Sequence, residues 1–280
     1  MIPTGAARIA GVIGWPVAHS LSPRVHGFWL EHYRIDGAYV PLAVRPEDLR
    51  EALAALPKLG FAGANVTVPH KEATLALVAD TTATARRIGA VNTVVVGSRG
   101  RLRGDNTDAA GFLAALIAAV PGWRASNGAV VIVGAGGAAR AIAVAVADAG
   151  AGEIRIVNRT RARAEALAAA IGGRATVWQW ADRAEALAGA GLLVNATTLG
   201  MVGRPALDLD LARLPSGAVV DDIVYSPLET PLLAAARRRG NPVVDGLGML
   251  LHQARPGFAA WFGHEPEVTN ELRRFVLCAA

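Results

Sequence analysis

The stretch VVIVGAGGAARA, Val130–Ala141, constrains the fold of this chain more than any other. Its first four residues are β-branched and apolar on both strand faces, which suits a strand covered by helices on either side. A glycine cluster follows at once, then an alanine-rich segment of high helix propensity. Strand, glycine turn and helix in direct succession open a βαβ unit. The alternation then continues, with strands predicted at Ala129–Val133, Glu153–Val157, Leu192–Asn195, Ala218–Ile223 and Pro242–Val244 and helices between most of them. That pattern implies a doubly wound parallel sheet.

The turn has a chemistry as well as a shape. Gly134 permits the tight turn, and Gly136 lets backbone N–H groups approach a pyrophosphate. Ala135 lies between them, while Gly137 and Ala138 keep the helix N-terminus open to an anion. These five residues are a candidate dinucleotide-binding segment. The end of the next strand selects the dinucleotide. An NAD site carries an acid there for the ribose 2′-hydroxyl, whereas this chain has Asn158-Arg159-Thr160. Arg159 can pair with a 2′-phosphate and Thr160 can donate to it, so NADP is the expected cofactor. Arg161 and Arg163 follow, and they suit a solvated helix face equally well.

Composition limits the remaining classes. The 280 residues are 52% hydrophobic and 18% charged, enough to bury a core and to exclude intrinsic disorder. The longest apolar region, Gly128 to Gly150, is broken by glycines and Arg140, so no membrane span is expected. The start of the sequence lacks the charged, apolar and cleavage regions of a secretory signal, and the only cysteine is Cys278. No zinc-type spacing occurs. A cytoplasmic, metal-free protein is the expectation. The net charge of +5 is scattered and aromatics are only 5%, which argues against a nucleic-acid surface.

The first half reads as a second α/β region. Strands are predicted at Arg8–Ile13, Ala38–Val44 and Gly63–Val68, with a hairpin of Asn92–Val96 and Arg101–Gly104. Helices are predicted from Ser22-Pro23, as N-cap and first helical residue, toward Tyr33, over Pro46–Leu56, from about Pro69, and from Asp108 to Val120. Residues 1–112 are assigned to a substrate-binding and catalytic domain and 113–245 to a dinucleotide-binding domain. Residues 246–280 are assigned to a C-terminal helical segment.

Of 28 basic residues, 26 are arginine and only Lys58 and Lys71 are lysine. A chain that uses arginine for permanent charge keeps lysine where a proton must be given up. Lys71 ends NVTVPHK, Asn65–Lys71, whose strand alternation sends Asn65 and Thr67 to one face and Val66 and Val68 to the other. The N-terminal end of a helix disfavours a cation, so a lysine there suits acid–base work. Ser20 and Ser22, around another helix N-terminus, suit a carboxylate ligand. Asn92 in GAVNT and Asp108 in GDNTDAAG complete a polar inventory able to hold a small polyhydroxylated acid. The six histidines show no ligand spacing and are read as structural or incidental.

Nine stretches in order, GWPVAHSLSPRVHG, NVTVPHK, GAVNT, GDNTDAAG, VGAGGAARA, NRT, NATTLGM, DIVYSPLETPLL and DGLGMLLHQA, resemble those of the shikimate dehydrogenase family across nearly the whole chain. The resemblance implies an N-terminal α/β substrate domain plus a C-terminal Rossmann-type domain, and a reversible NADP-dependent interconversion of 3-dehydroshikimate and shikimate in aromatic amino-acid biosynthesis. It implies that Ser20 and Ser22 bind the substrate carboxylate, and that Thr67, Asn92, Asp108 and Gln253 contact its hydroxyls or ring. Asn65 and Tyr225 would support that site. Lys71 would be the acid–base residue and Asp108 its partner. Gly134, Ala135, Gly136, Gly137, Ala138, Asn158, Arg159, Thr160, Ile223 and Gly246 would line the cofactor site. The resemblance also returns the C-terminal helix to the first domain, bringing Gln253 to the substrate. The implied partner is a small-molecule substrate, with no nucleic acid or membrane, in a monomer or homodimer. The chain departs from the family pattern at Gly27, Thr198 and Leu199. The nearest alternative is a quinate/shikimate dehydrogenase of broader substrate range or NAD use, against which the acid-free Asn158–Thr160 segment counts.

Overall fold

The computed structural model describes residues 2–278, which form two compact units. One runs through Thr107 and resumes at Leu251; the other is Asp108–Leu250.

The first unit contains β1 (Arg8–Gly14), α1 (Ser22–His32), β2 (Gly37–Ala43), α2 (Leu49–Ala55), β3 (Phe61–Val66), α3 (Lys71–Thr74), β4 (Asp80–Thr81), α4 (Ala83–Ile88), β5 (Thr93–Val96) and β6 (Leu102–Asp105). Its six strands lie in the order β2-β1-β3-β5-β6-β4. Strand β1 pairs in parallel with β2 and β3, and β3, β5 and β6 pair antiparallel, the last two as the expected hairpin.

The second unit contains α5 (Asp108–Ala119), β7 (Ala129–Val133), α6 (Gly137–Asp148), β8 (Ile154–Val157), α7 (Arg161–Ile171), β9 (Ala175–Trp178), β10 (Ala190–Asn195), β11 (Val219–Asp222), α8 (Pro231–Arg238) and β12 (Val243–Asp245). All six strands are parallel, in the order β12-β11-β10-β7-β8-β9. The order reverses beside β7, the strand that carries the glycine turn. This is the Rossmann-type sheet, and every residue of β7 is buried, as its all-apolar sequence requires. Helix α9 (Gly246–Phe262) starts in this unit and ends in the first, where α10 (Asn270–Leu277) also packs, against α1.

Several expectations change. The cap of α1 is Leu21, without a side-chain bond, and Ser22 is its first helical residue; the Ser20 hydroxyl accepts the Ser22 N–H at 3.3 Å. Pro46–Leu56 divides into a 3₁₀ turn and α2. Strand β3 stops at Val66, so the predicted alternation fails at Val68, which is 60% exposed. Pro69 has no N–H to extend the ladder, and the Val68 carbonyl accepts the Trp15 N–H instead. The helix predicted from Pro69 is the single turn α3. Its field is correspondingly small, and the helix-terminus argument for Lys71 does not carry. Strands β4 and β9 and helix α4 were not predicted, and α10 falls within the helical segment expected over 246–280.

Candidate active site

In the first unit, Asn65, Asn92 and Gln253 of the residues predicted from sequence meet near the ends of β3, β5 and β6. Asn65 is the penultimate residue of β3, and its amide is fully committed. The Tyr39 hydroxyl donates to Asn65 Oδ1 at 2.6 Å, while Asn65 Nδ2 donates to the Asn92 carbonyl and to Thr93 Oγ1, both at 3.2 Å. Asn92 continues the chain of bonds. Its Oδ1 accepts the Thr107 N–H at 2.8 Å and the Thr93 hydroxyl at 2.9 Å, and its Nδ2 donates to Gln253 Oε1 at 3.2 Å. The Thr107 hydroxyl donates to the Gln253 carbonyl at 2.8 Å. Each side chain in this network is buried. A desolvated polar chain of this kind holds one geometry because each alternative strands a donor or acceptor.

Helix α9 reaches the network through a close approach. A Cβ at Gly63 would collide with the Trp261 indole and the Val94 carbonyl, and in its absence Trp261 Nε1 donates to Val94 O at 3.0 Å. That bond seats α9 on β3 and β5 in the same unit as Gln253.

Burial has electrostatic consequences. It pushes the Tyr39 phenol well above its usual range, with the Ser22 hydroxyl opposing the shift, so Tyr39 acts as a neutral donor. His26 stacks on Tyr39, with ring centroids 3.9 Å apart and planes at 1°. Both His26 nitrogens are enclosed without a hydrogen-bond partner. Burial drives the imidazole down to about 3, opposed only by the Asn65 amide, which does not reach hydrogen-bonding geometry.

Lys71 opens α3 and is half-buried, and its carbonyl accepts the Val91 N–H at 2.8 Å. The preceding His70 is buried, with Nε2 on the Val44 carbonyl at 2.8 Å. Thr67 follows β3 and its N–H bonds Ile13 O. Ser20 and Ser22 flank the start of α1, with Ser22 buried. Tyr39, Thr93, Thr107 and His70 were missed from sequence. Thr93, Thr107 and His70 lie inside the quoted motifs, whereas Tyr39 carried no signal beyond its β propensity.

In the second unit, Asp108 is the buried first residue of α5. Gly134 follows β7 with φ +121°, and a Cβ there would lie 2.8 Å from the Ala196 carbonyl, so glycine is required. Gly136 is the N-cap of α6 and has open space where its Cβ would stand. No acid occupies the first turn of α6 and no side chain caps it, which leaves its N–H groups for an anion. After β8, Asn158 Nδ2 donates to the Thr160 carbonyl at 2.8 Å, and Arg159 is exposed. Arg161 pairs with Glu165 at 2.7 Å along α7. The open turn and the acid-free, arginine-bearing strand end fit a dinucleotide with a 2′-phosphate. Tyr225 and Ile223 lie on the loop after β11, and Gly246 opens α9.

Residues 12–94 match the shikimate dehydrogenase substrate binding domain, and residues 118–201 match the shikimate / quinate 5-dehydrogenase family. A shikimate dehydrogenase (NADP(+)) of Paramagnetospirillum magneticum is 62% identical, covering 98% of this chain and 99% of that protein. The chain belongs to the shikimate dehydrogenase family. A second relative, of the same name, from Rhodospirillum rubrum is 60% identical over 98% of each chain. Among solved structures, a shikimate 5-dehydrogenase of Thermus thermophilus in complex with NADP(H) and shikimate is similar at TM-score 0.86 and 40% identity, covering 98% of this chain and 100% of that one. A quinate dehydrogenase of Corynebacterium glutamicum in complex with NAD reaches TM-score 0.89 at 33% identity, over 97% of this chain and 99% of that one. Among the described residues no helix is long and apolar enough to cross a membrane, and no group of three or more metal-ligating side chains occurs.

Proposed function

We propose that this chain is an NADP-dependent shikimate dehydrogenase that interconverts 3-dehydroshikimate and shikimate in aromatic amino-acid biosynthesis, acting in the cytoplasm as a monomer or homodimer. The observation that carries the reading is that Asn65, Asn92 and Gln253, three of the family's polar residues, are held in one buried network, with Lys71 retained in an otherwise arginine-rich chain.

In this reading Ser20 and Ser22 bind the substrate carboxylate, and Thr67, Asn92, Asp108 and Gln253 address its hydroxyls and ring. Asn65 and Tyr225 support them. Gly134–Ala138, Asn158, Arg159, Thr160, Ile223 and Gly246 hold the dinucleotide, with Arg159 and Thr160 on its 2′-phosphate. The bound cofactor supplies the hydride. In the reducing direction the Lys71 ammonium gives a proton to the oxygen at C3, which becomes the hydroxyl, and Lys71 is left as an amine to be reprotonated by solvent. In the reverse direction the amine takes that proton back. Asp108 is the partner that keeps Lys71 and the substrate hydroxyl in register for the transfer.

Initial rates of nicotinamide reduction test this, with shikimate or quinate paired with NADP or NAD. A strong rate with shikimate and NADP alone is expected. Comparable rates with quinate or with NAD would refute the assignment in favour of a broader-specificity relative.

A further inference from the structure

The carboxylate of Asp222 has no solvent exposure, yet both its oxygens are occupied. Asn195 Nδ2 donates to Oδ1 at 2.9 Å, the Val224 N–H donates to the same oxygen at 3.1 Å, and the Thr230 hydroxyl donates to Oδ2 at 2.7 Å. Each donor governs a separate piece of chain. Asn195 ends β10, and its remaining bonds, to the Thr197 N–H and hydroxyl and to the Leu199 carbonyl, shape the loop that follows. Val224 lies between Ile223 and Tyr225. Thr230 closes that loop and caps α8 through the Leu233 N–H. The two loops are laced again where the Val202 N–H meets the Ser226 carbonyl at 2.9 Å. Gly246 sits against the first residue of the β11 loop, because a Cβ there would collide with the Ile223 carbonyl.

The sheet order says which end of a dinucleotide these loops face. Strand β8, with Asn158–Thr160 at its end, lies on one side of β7, and β10, β11 and β12 lie on the other. A dinucleotide laid across the switch point has its adenosine ribose at the end of β8. Its nicotinamide half therefore extends over β10 to β12. The geometry points to Asp222 as a positioning residue that holds the loops after β10 and β11, and with them Ile223 and Gly246, for the nicotinamide half of the cofactor. This rests on the NADP reading above.

The test compares two ligands of the same unit. NADPH binding is followed by its fluorescence, and 2′,5′-ADP, which lacks the nicotinamide half, is measured by calorimetry. In Asp222→Ala the NADPH Kd should rise about tenfold or more, as expected when a hydrogen-bonded segment loses its anchor, while the 2′,5′-ADP Kd stays within about twofold. Thr230→Val, which removes one donor, should show the same split more weakly, and Thr230→Ser should restore wild-type binding. Asp222→Asn keeps the volume and the Oδ1 acceptor, so it carries the test should the alanine variant not fold. A parallel loss of both ligands marks a merely structural role and overturns the proposal, as does no loss of either. Wild-type protein that binds neither ligand would instead overturn the cofactor reading itself.

Discussion

The enclosed imidazole of His26 makes the first unit sensitive to acid in a calculable way. In the folded chain burial holds it neutral down to about 3, against 6.5 for the free side chain. Below 6.5 the unfolded chain takes up a proton that the folded chain refuses. Stability from this group is therefore intact above 6.5 and is lost as pH falls from 6.5 toward 3. Each unit of pH within that window costs about 1.4 kcal/mol, so the loss between pH 7.5 and pH 5 is about 2 kcal/mol. His26→Phe removes the titration and keeps an aromatic ring for the stack with Tyr39 and the contacts with Trp29, Phe258 and Trp261. No hydrogen bond is lost, because neither nitrogen makes one. At pH 7.5 the variant should lose about 1–3 kcal/mol, the range for a larger ring placed in a packed core, and this offset is common to both pH values.

Urea unfolding followed by tryptophan fluorescence at both pH values measures the difference, since Trp29 and Trp261 are buried around this ring. His70 and His252 are present in both proteins and drop out of the comparison. Wild type should lose about 2 kcal/mol more than His26→Phe on going from pH 7.5 to pH 5. Equal losses would refute the reasoning, because they would mean that the folded chain admits a proton at His26.

Further outcomes follow from the same structure. Lys71→Ala should reduce kcat on the order of 10²-fold or more with little change in the NADPH Kd, as removal of a general acid requires; an unchanged kcat would sink its role. Asp221 is buried, and its carboxyl is pushed well above the usual range by desolvation and by the neighbouring Asp222 and Asp245. Its folded value exceeds the unfolded one, so its contribution is full below the unfolded value near 3.8 and is lost as pH rises. Asp221→Asn should thus be more stable than wild type at pH 8, with the gap closing toward pH 4 in urea titrations. Gly134→Ala forces a side chain into φ +121° beside the Ala196 carbonyl and should raise the NADPH Kd about tenfold or more by fluorescence titration.

What could be read in the sequence divides along the range of the forces involved. The β7 turn and α6 were legible because an apolar run, a glycine turn and a helix former are all local signals, and the predicted Ala129–Val133 is the observed strand. Strand β9 was not. It is an edge strand without a fully buried residue, and its Trp178 faces the Arg155 guanidinium from the neighbouring strand, a partner no local pattern announces. Helix α10 lies in the helical segment predicted over 246–280 but was not marked as a separate helix, being only eight residues long with Leu272 and Val276 as its buried anchors. α3 was over-read because a proline and charged residues also begin a single turn.

The same division runs through the candidate site. Lys71, Asp108 and the glycines stood out because their chemistry demands an uncommon type at a strand or helix end. Tyr39, Thr93 and Thr107 are ordinary residues whose contribution comes from neighbours far away in sequence: Tyr39 reaches Asn65 across 26 positions, and Thr107 reaches Gln253 across 146. Their bonds fix which face Asn65, Asn92 and Gln253 present, so the roles that motifs assign to those amides depend on residues that motifs do not mark. A variant such as Thr107→Val, which replaces the hydroxyl by a methyl group, should therefore weaken shikimate binding while leaving the NADPH Kd unchanged. A parallel change in both would mean that the network serves the fold rather than the substrate.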